Sequence, residues 1–192
     1  AGAPLSELLS VKVVDAGGQA VAGATVIWQV RDGGGTVNPA ASTSSVSGLA
    51  TVVWTLGSTI GANKAVAVLQ GAYALDSAVF TATAKVGLGR KFVKVSGDSQ
   101  TTRVASKLAQ PLVVNMTDQY GHPIAGDTVQ WQTLGSSGTL TAASTTDASG
   151  NASANWTLDT LATYGAFSKM VRAMAGGVAI DFYSAATPDT SR

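Results

Sequence analysis

The chain states one pattern twice, and that repetition constrains its fold more than any other feature. Asp15-Ala16-Gly17-Gly18-Gln19-Ala20-Val21-Ala22-Gly23, followed by Trp28, returns as Asp118-Gln119-Tyr120-Gly121-His122-Pro123-Ile124-Ala125-Gly126, followed by Trp131, at an offset of 103 residues. Gly48, Ala50, Trp54 and Leu56 return as Gly150, Ala152, Trp156 and Leu158 at an offset of 102. A one-residue slip between matched anchors is what two copies of one fold show when only a surface connection changes length. Each copy takes up roughly 90 to 100 residues, enough for one adequate core without metal or disulfide support.

Period-two alternation runs through both copies in the same places and predicts strands. In the first, Leu9, Val11 and Val13 share a face, as do Val26, Trp28 and Val30. Ala50, Val52, Trp54 and Leu56 form a third row, and Ala78, Phe80, Ala82 and Ala84 a fourth. The second copy answers with Leu112, Val114 and Met116, then Val129 and Trp131, then Ala152, Ala154, Trp156 and Leu158, then Ile180 and Phe182. All these rows are expected to point inward, because a one-residue slip would turn a whole apolar row into water. Trp28, Trp54, Phe80, Trp131, Trp156 and Phe182 are the expected anchors of the two cores.

Turn residues separate the rows: Gly17-Gly18, Asp32-Gly33-Gly34-Gly35, Tyr120-Gly121, Gly135-Ser136-Ser137-Gly138, Ser149-Gly150-Asn151 and Gly176-Gly177. No segment keeps a 3.6-residue period over ten or more residues. Short strands with turns every 8 to 12 residues or so predict an all-β chain of two tandem immunoglobulin-like antiparallel sandwiches. The expected domains are residues 1–86 and 91–187, with a tail at 188–192. A linker over Lys85–Lys91 is short enough to stack them end to end.

Composition excludes several roles. Hydrophobic residues make up 45% of the chain, while charged residues make up 12%, about half the usual share. Twelve basic against eleven acidic residues leave a net charge of +1 without a run of either sign, so no nucleic-acid partner is expected. There are no cysteines, which removes disulfides and thiolate metal sites. No stretch approaches the roughly 18 to 20 apolar residues of a membrane helix, and no secretory leader is read.

The second copy carries further motifs. Phe92-Val93-Lys94-Val95-Ser96-Gly97-Asp98-Ser99-Gln100 is followed by Gln110-Pro111-Leu112-Val113-Val114 and the Asp118–Gly126 turn, then by Thr146-Asp147-Ala148-Ser149-Gly150-Asn151-Ala152, Trp156-Thr157-Leu158 and Phe182. This succession resembles a group 1 bacterial immunoglobulin-like (Big-1) domain, the repeat found in the stalks of invasin- and intimin-type surface adhesins. The resemblance spans most of residues 91–187 and about residues 5–86. It implies a two-sheet sandwich, tandem arrays, display at the bacterial cell surface or on an appendage, a spacer or adhesion role, and no catalytic residues. Partners would be neighbouring immunoglobulin-like domains or subunits of a surface array, with a glycan or host protein as further possibilities.

The first copy lacks a counterpart of residues 91–103. A missing opening strand leaves an unpaired sheet edge. Truncation of a longer array, donation of a strand by a neighbouring subunit in a filament, and local compensation by Gly2–Leu8 are the three readings of this gap.

Residues that carry chemistry are few. His122 is the only histidine and stands in a predicted turn, where an ordinary exposed residue is expected. Glu7 is the only glutamate, and the ten aspartates sit mostly beside turn glycines, so the paired carboxylates of a glycosidase are not read and no enzyme is expected. No cofactor is expected. Asp147, Ser149 and Asn151 place oxygens at alternate positions around Gly150, like the start of a calcium loop, but the glutamate such a loop needs further on is missing; the same residues also serve a plain β-turn. Tyr120, on a turn, Tyr183, on an outward face, and Tyr164 are the candidate contact residues of a carbohydrate- or protein-binding module.

Overall fold

The computed structural model describes residues 1–71, 77–135, 138–163 and 167–189. Tyr73, Tyr164, the turn residues Ser136 and Ser137 and the tail residues 190–192 lie outside the described residues. The chain divides into two compact units, Ala1–Gly87 and Leu88–Arg192. Among the described residues there are strands and no helix, hence none long and apolar enough to cross a membrane.

The first unit comprises β1 (Leu9–Lys12), β2 (Thr25–Asp32), β3 (Gly35–Asn38), β4 (Ala41–Thr43), β5 (Leu49–Leu56), β6 (Gly61–Leu69) and β7 (Ser77–Ala84). They form two antiparallel sheets, β1-β5-β3 and β4-β2-β6-β7. The second unit comprises β8 (Lys91–Ser96), β9 (Gln100–Arg103), β10 (Leu112–Thr117), β11 (Thr128–Leu134), β12 (Thr139–Leu140), β13 (Ala143–Thr145), β14 (Asn151–Ala154), β15 (Trp156–Thr157), β16 (Lys169–Ala175) and β17 (Val178–Thr187). Its sheets are β14-β10-β8 and β13-β11-β16-β17-β9, with the short pair β12-β15. Both units are immunoglobulin-like sandwiches.

The two units share one register. Leu9 faces Val52 as Leu112 faces Ala154, Trp28 faces Ala67 as Trp131 faces Ala173, and Ala65 faces Phe80 as Val171 faces Phe182. The ring of Trp28 lies 6.0 Å from that of Phe80, and that of Trp131 lies 5.9 Å from that of Phe182, both tilted. Each of these indoles donates its N–H to a serine on the next strand, Trp28 Nε1 to Ser42 Oγ at 2.8 Å and Trp131 Nε1 to Ser144 Oγ at 2.9 Å. All four tryptophans are buried, as the alternation predicts.

Gly48 and Gly150 show why those turns tolerate no other residue. Both have φ of 79°, and a Cβ there would stand 2.5 Å from the Val13 carbonyl oxygen or 2.4 Å from that of Met116. Behind the turns, Ser44 and Thr146 are buried hydroxyls that accept the N–H of Ala24 and Asp127 and donate to the carbonyls of Val21 and Asp127.

One point of the core is closed by different chemistry in each unit. In the first, buried Asn63 accepts the Gly57 N–H at 3.2 Å and donates to the Gly61 carbonyl at 3.1 Å. Lys169 takes the corresponding place in the second, and its ammonium meets both carboxylate oxygens of Asp159 at 2.7 and 3.0 Å with only 7% of the side chain exposed.

The units differ in depth of burial where full burial is expected for both. Leu112, Val114 and Met116 are wholly buried, but Leu9, Val11 and Val13 are only half-buried, and Phe80 is half-buried where Phe182 is inaccessible. The reason lies in β8 and β9, which cover the outer edges of β10 and β17. The segment Gly2–Leu5 does not replace them. Leu5 N–H bonds to the Trp54 carbonyl and Leu56 N–H to that of Ala3, just as Leu108 bonds to Trp156 and Leu158 to Ser106, so this segment is the counterpart of the stretch that follows β9.

Leu112→Ala should therefore cost the second unit about 2 to 5 kcal/mol, and Leu9→Ala should cost the first less than half as much. Denaturant unfolding of each single variant of the full chain measures both losses, and equal losses would contradict the difference in burial.

Candidate functional site

The tight turns at the ends of the strands are built from their own side chains. Asp15 Oδ1 accepts the N–H groups of Gly17 and Gln19, and Asp118 Oδ1 accepts those of Tyr120 and His122, all at 2.9 Å. Asp147 repeats the arrangement with the N–H groups of Ser149 and Asn151 at 2.9 Å. Its counterpart in the first unit is Ser45, whose hydroxyl receives the N–H groups of Ser47 and Leu49 at 3.3 and 3.2 Å. The Asn151 side-chain oxygen accepts from Asn115 at 2.9 Å. Asp147, Ser149 and Asn151 thus stand together in a turn held by local hydrogen bonds. Among the described residues no group of three or more His, Cys, Asp or Glu side chains comes together.

The turn at Asp118 carries more than its sequence announces. The Asp118 side chain is wholly buried, and its Oδ2 lies 2.9 Å from Nδ1 of His122, which is itself 22% exposed. His122 is therefore a tethered, partly buried residue instead of the freely exposed one expected. The Tyr120 ring lies 6.3 Å from the imidazole and is 43% exposed. A carboxylate below, an imidazole in the middle and a phenol at the surface make a compact polar and aromatic ledge. Leu88–Lys91, assigned to the linker from sequence, lie beside it: Gly89 donates to the Gln119 side chain at 3.0 Å and Arg90 pairs with Asp127 at 2.7 Å.

Tyr183 stands elsewhere on the second unit, on the outward face of β17 and 39% exposed. Its backbone N–H bonds Asp98 Oδ1 at 2.8 Å, and the Lys94 ammonium, paired with Asp98 at 2.6 Å, lies 5.4 Å from the Tyr183 ring centroid and 5.3 Å from that of Phe182. Next to it on the same sheet, Arg172 grips Asp181 through two hydrogen bonds of 2.7 and 2.8 Å. Burial pushes the Asp98 carboxyl up, but the Lys94 hydrogen bond, the N–H groups of Tyr183 and Ser99 and the Lys94 charge outweigh it and hold the group below its ordinary range. The guanidinium of Arg172 holds Asp181 down in the same direction. Lys94 and Asp98 belong to the segment before and after Ser96, and no local sequence pattern ties them to residue 183.

No family model matches the chain, and no curated protein matches it. Solved structures do. The adhesin FdeC of Escherichia coli is similar over 96% of this chain and 60% of its own, with 20% identity and a TM-score of 0.58. The D0-D1 domains of intimin cover 93% of this chain and 88% of theirs at 18% identity, with a TM-score of 0.36. Invasin, described as a bacterial integrin-binding protein, covers 95% of this chain and 36% of its own at 20% identity, with a TM-score of 0.39. The chain thus spans about three fifths of the FdeC structure and about a third of the invasin structure. At these identities the likeness is one of fold, carried by the FdeC comparison.

The carboxylates around Tyr183 give the second unit an acid dependence of definite sign. Asp98 and Asp181 both titrate lower in the folded chain than in the unfolded one, so their contribution is complete above the unfolded value of about 3.9 and is lost as pH falls through their folded values. Hydrogen exchange of the β16 amides should show the second unit weakening from about pH 4 downward. Asp98→Asn should flatten part of that decline, and an unchanged profile would contradict the assignment.

Proposed function

We propose that the chain is a non-enzymatic module of a bacterial surface or appendage protein, displayed outside the cell as a spacer or adhesive stalk. The observation that carries this reading is the fold shared with the FdeC adhesin along 96% of the chain. The pattern of the duplication supports it. Residues common to the two copies are those that fill the cores and form the turns, while the outward positions differ, as in a scaffold whose work is to hold a length of folded chain. Asp15, Asp118 and Asp147 are engaged in turns, and Arg90–Asp127, Lys94–Asp98, Lys169–Asp159 and Arg172–Asp181 in ion pairs, a structural use of charged residues that supports the non-enzymatic role. Antibodies raised against the 192-residue chain should label intact cells that make the protein. Labelling that appears only after the cells are permeabilised would overturn the reading.

A second reading, a module that binds a glycan or a host protein, is favoured by the ledge formed by Tyr120, His122 and Asp118. Exposed aromatic rings held rigidly by a buried partner are suited to stacking on a sugar face or anchoring a protein contact. Tyr183 offers a second aromatic surface, and Tyr164 completes the set of tyrosines proposed for contact. On this reading Tyr120→Ala weakens binding to a glycan array or to immobilised host-cell proteins by about tenfold or more. Binding that survives both Tyr120→Ala and Tyr183→Ala unchanged would count against it.

A further inference from the structure

The outward face of β11, β16 and β17 in the second unit carries polar and aromatic groups where the first unit carries aliphatic ones. Gln132, Arg172 and Asp181 form a row across the three strands, with Met170 opposite Tyr183 on one side of it and Gln130 opposite Met174 on the other. The first unit keeps the register without the chemistry: Val66 faces Val79 where Arg172 faces Asp181, and Ile27 faces Val68 where Gln130 faces Met174. The inward neighbours Ala65 and Ala67 are as fully buried as Val171 and Ala173, so the core does not dictate the change. Gln130 and Gln132 are exposed, and among the described residues neither carboxamide has a hydrogen-bond partner. Arg172 uses Nε and Nη2 on Asp181, which leaves Nη1 for another acceptor. The Tyr183 ring is 39% exposed beside the Lys94 ammonium. Two residues beyond Asp181, the small residues Gly176, Gly177 and Ala179 leave a hollow of about 480 Å³ next to Met174 and Gln130. The strand rise sets Tyr183 about 13 Å from Ala179.

We propose that this face binds an uncharged oligosaccharide laid along β17. One sugar stacks on Tyr183, hydroxyls of the next are held by Arg172, Asp181 and Gln132, and the far end lies in the hollow beside Gln130. Three properties select this class of ligand. The ionic groups cancel in pairs, Arg172 with Asp181 and Lys94 with Asp98, so the face has no net field to attract an anionic polymer. Planar carboxamides, a guanidinium and a carboxylate side by side offer donors and acceptors to neighbouring hydroxyls, while the Tyr183 ring suits the C–H face that a sugar ring also presents. A protein partner needs an apolar centre within a polar rim. Here the polar row lies in the middle, and Met170 and Met174 stand on either side of it. The inference rests on the reading of the chain as a glycan-binding module and gives the glycan a different surface from the Tyr120 turn.

The test is titration of the full 192-residue chain with uncharged tri- to hexasaccharides of hexose and N-acetylhexosamine units, followed by NMR of backbone and side-chain amides. Saturable shifts are expected at Gln130, Gln132, Arg172, Gly176 and Tyr183, with Val66 and Val79 unmoved. Tyr183→Ala should weaken binding by about tenfold or more and Gln132→Ala by about threefold or more, whereas Tyr120→Ala should leave it unchanged. Both altered positions on the face are exposed, and if one variant fails to fold the other decides. Absence of shifts with every sugar overturns the proposal and leaves a host protein as the ligand of the binding module. Binding lost in Tyr120→Ala but kept in Tyr183→Ala also overturns it, while the glycan reading survives at that turn. So does binding confined to sialylated or sulfated sugars that fades with added salt, since the ligand is then an anion. Capture through Tyr183 of a protein stripped of its glycans, with no sugar bound, overturns it too. Surface labelling of cells is unaffected by any of these outcomes, so the display reading stands or falls separately.

Discussion

Burying a tryptophan between two sheets costs about 1 to 3 kcal/mol when its indole N–H is left without an acceptor, and a hydroxyl on the neighbouring strand removes that cost. Ser42 and Ser144 meet this need for Trp28 and Trp131, each from the strand beside the indole's own. Slippage of β4 against β2, or of β13 against β11, would withdraw the hydroxyl and at the same time turn alternate side chains outward. The hydrogen bond and the apolar rows therefore demand one and the same register, and both units adopt it. Trp54 lies outside this arrangement: its indole is equally buried and no acceptor lies within reach among the described residues.

The inward rows and turns were legible in the sequence because each depends on residues close together along the chain. Alternation placed Val52, Trp54, Val129 and Phe182 inside, and glycine marked the corners at Gly48 and Gly150. Depth of burial was not legible for Leu9, Val11 and Val13, since it depends on whether another strand lies beside β1, and a local pattern carries no information about neighbours. The serine acceptors escaped notice for the same reason: Ser42 and Ser144 become meaningful only once strand pairing sets them beside an indole.

The candidate contact residues divide along similar lines. Exposure of Tyr120 and Tyr183 followed from a turn and an outward phase. Their settings did not, because the Asp118–His122 contact is a side-chain geometry inside a turn, and Lys94, Asp98 and Tyr183 meet across strands remote in sequence. In the second unit the Lys94–Asp98 pair joins the region of β8 to β17 through the Tyr183 backbone.

The exchange of Asn63 for Lys169 at one core position has a thermal consequence. Hydration of an ammonium and a carboxylate becomes less favourable as temperature rises, so the cost of withdrawing the Lys169–Asp159 pair from water shrinks on heating. An amide bridged to backbone groups has no comparable compensation. Warming accordingly tilts the balance of stability between the halves of this chain, even though their sheets are knit in the same way.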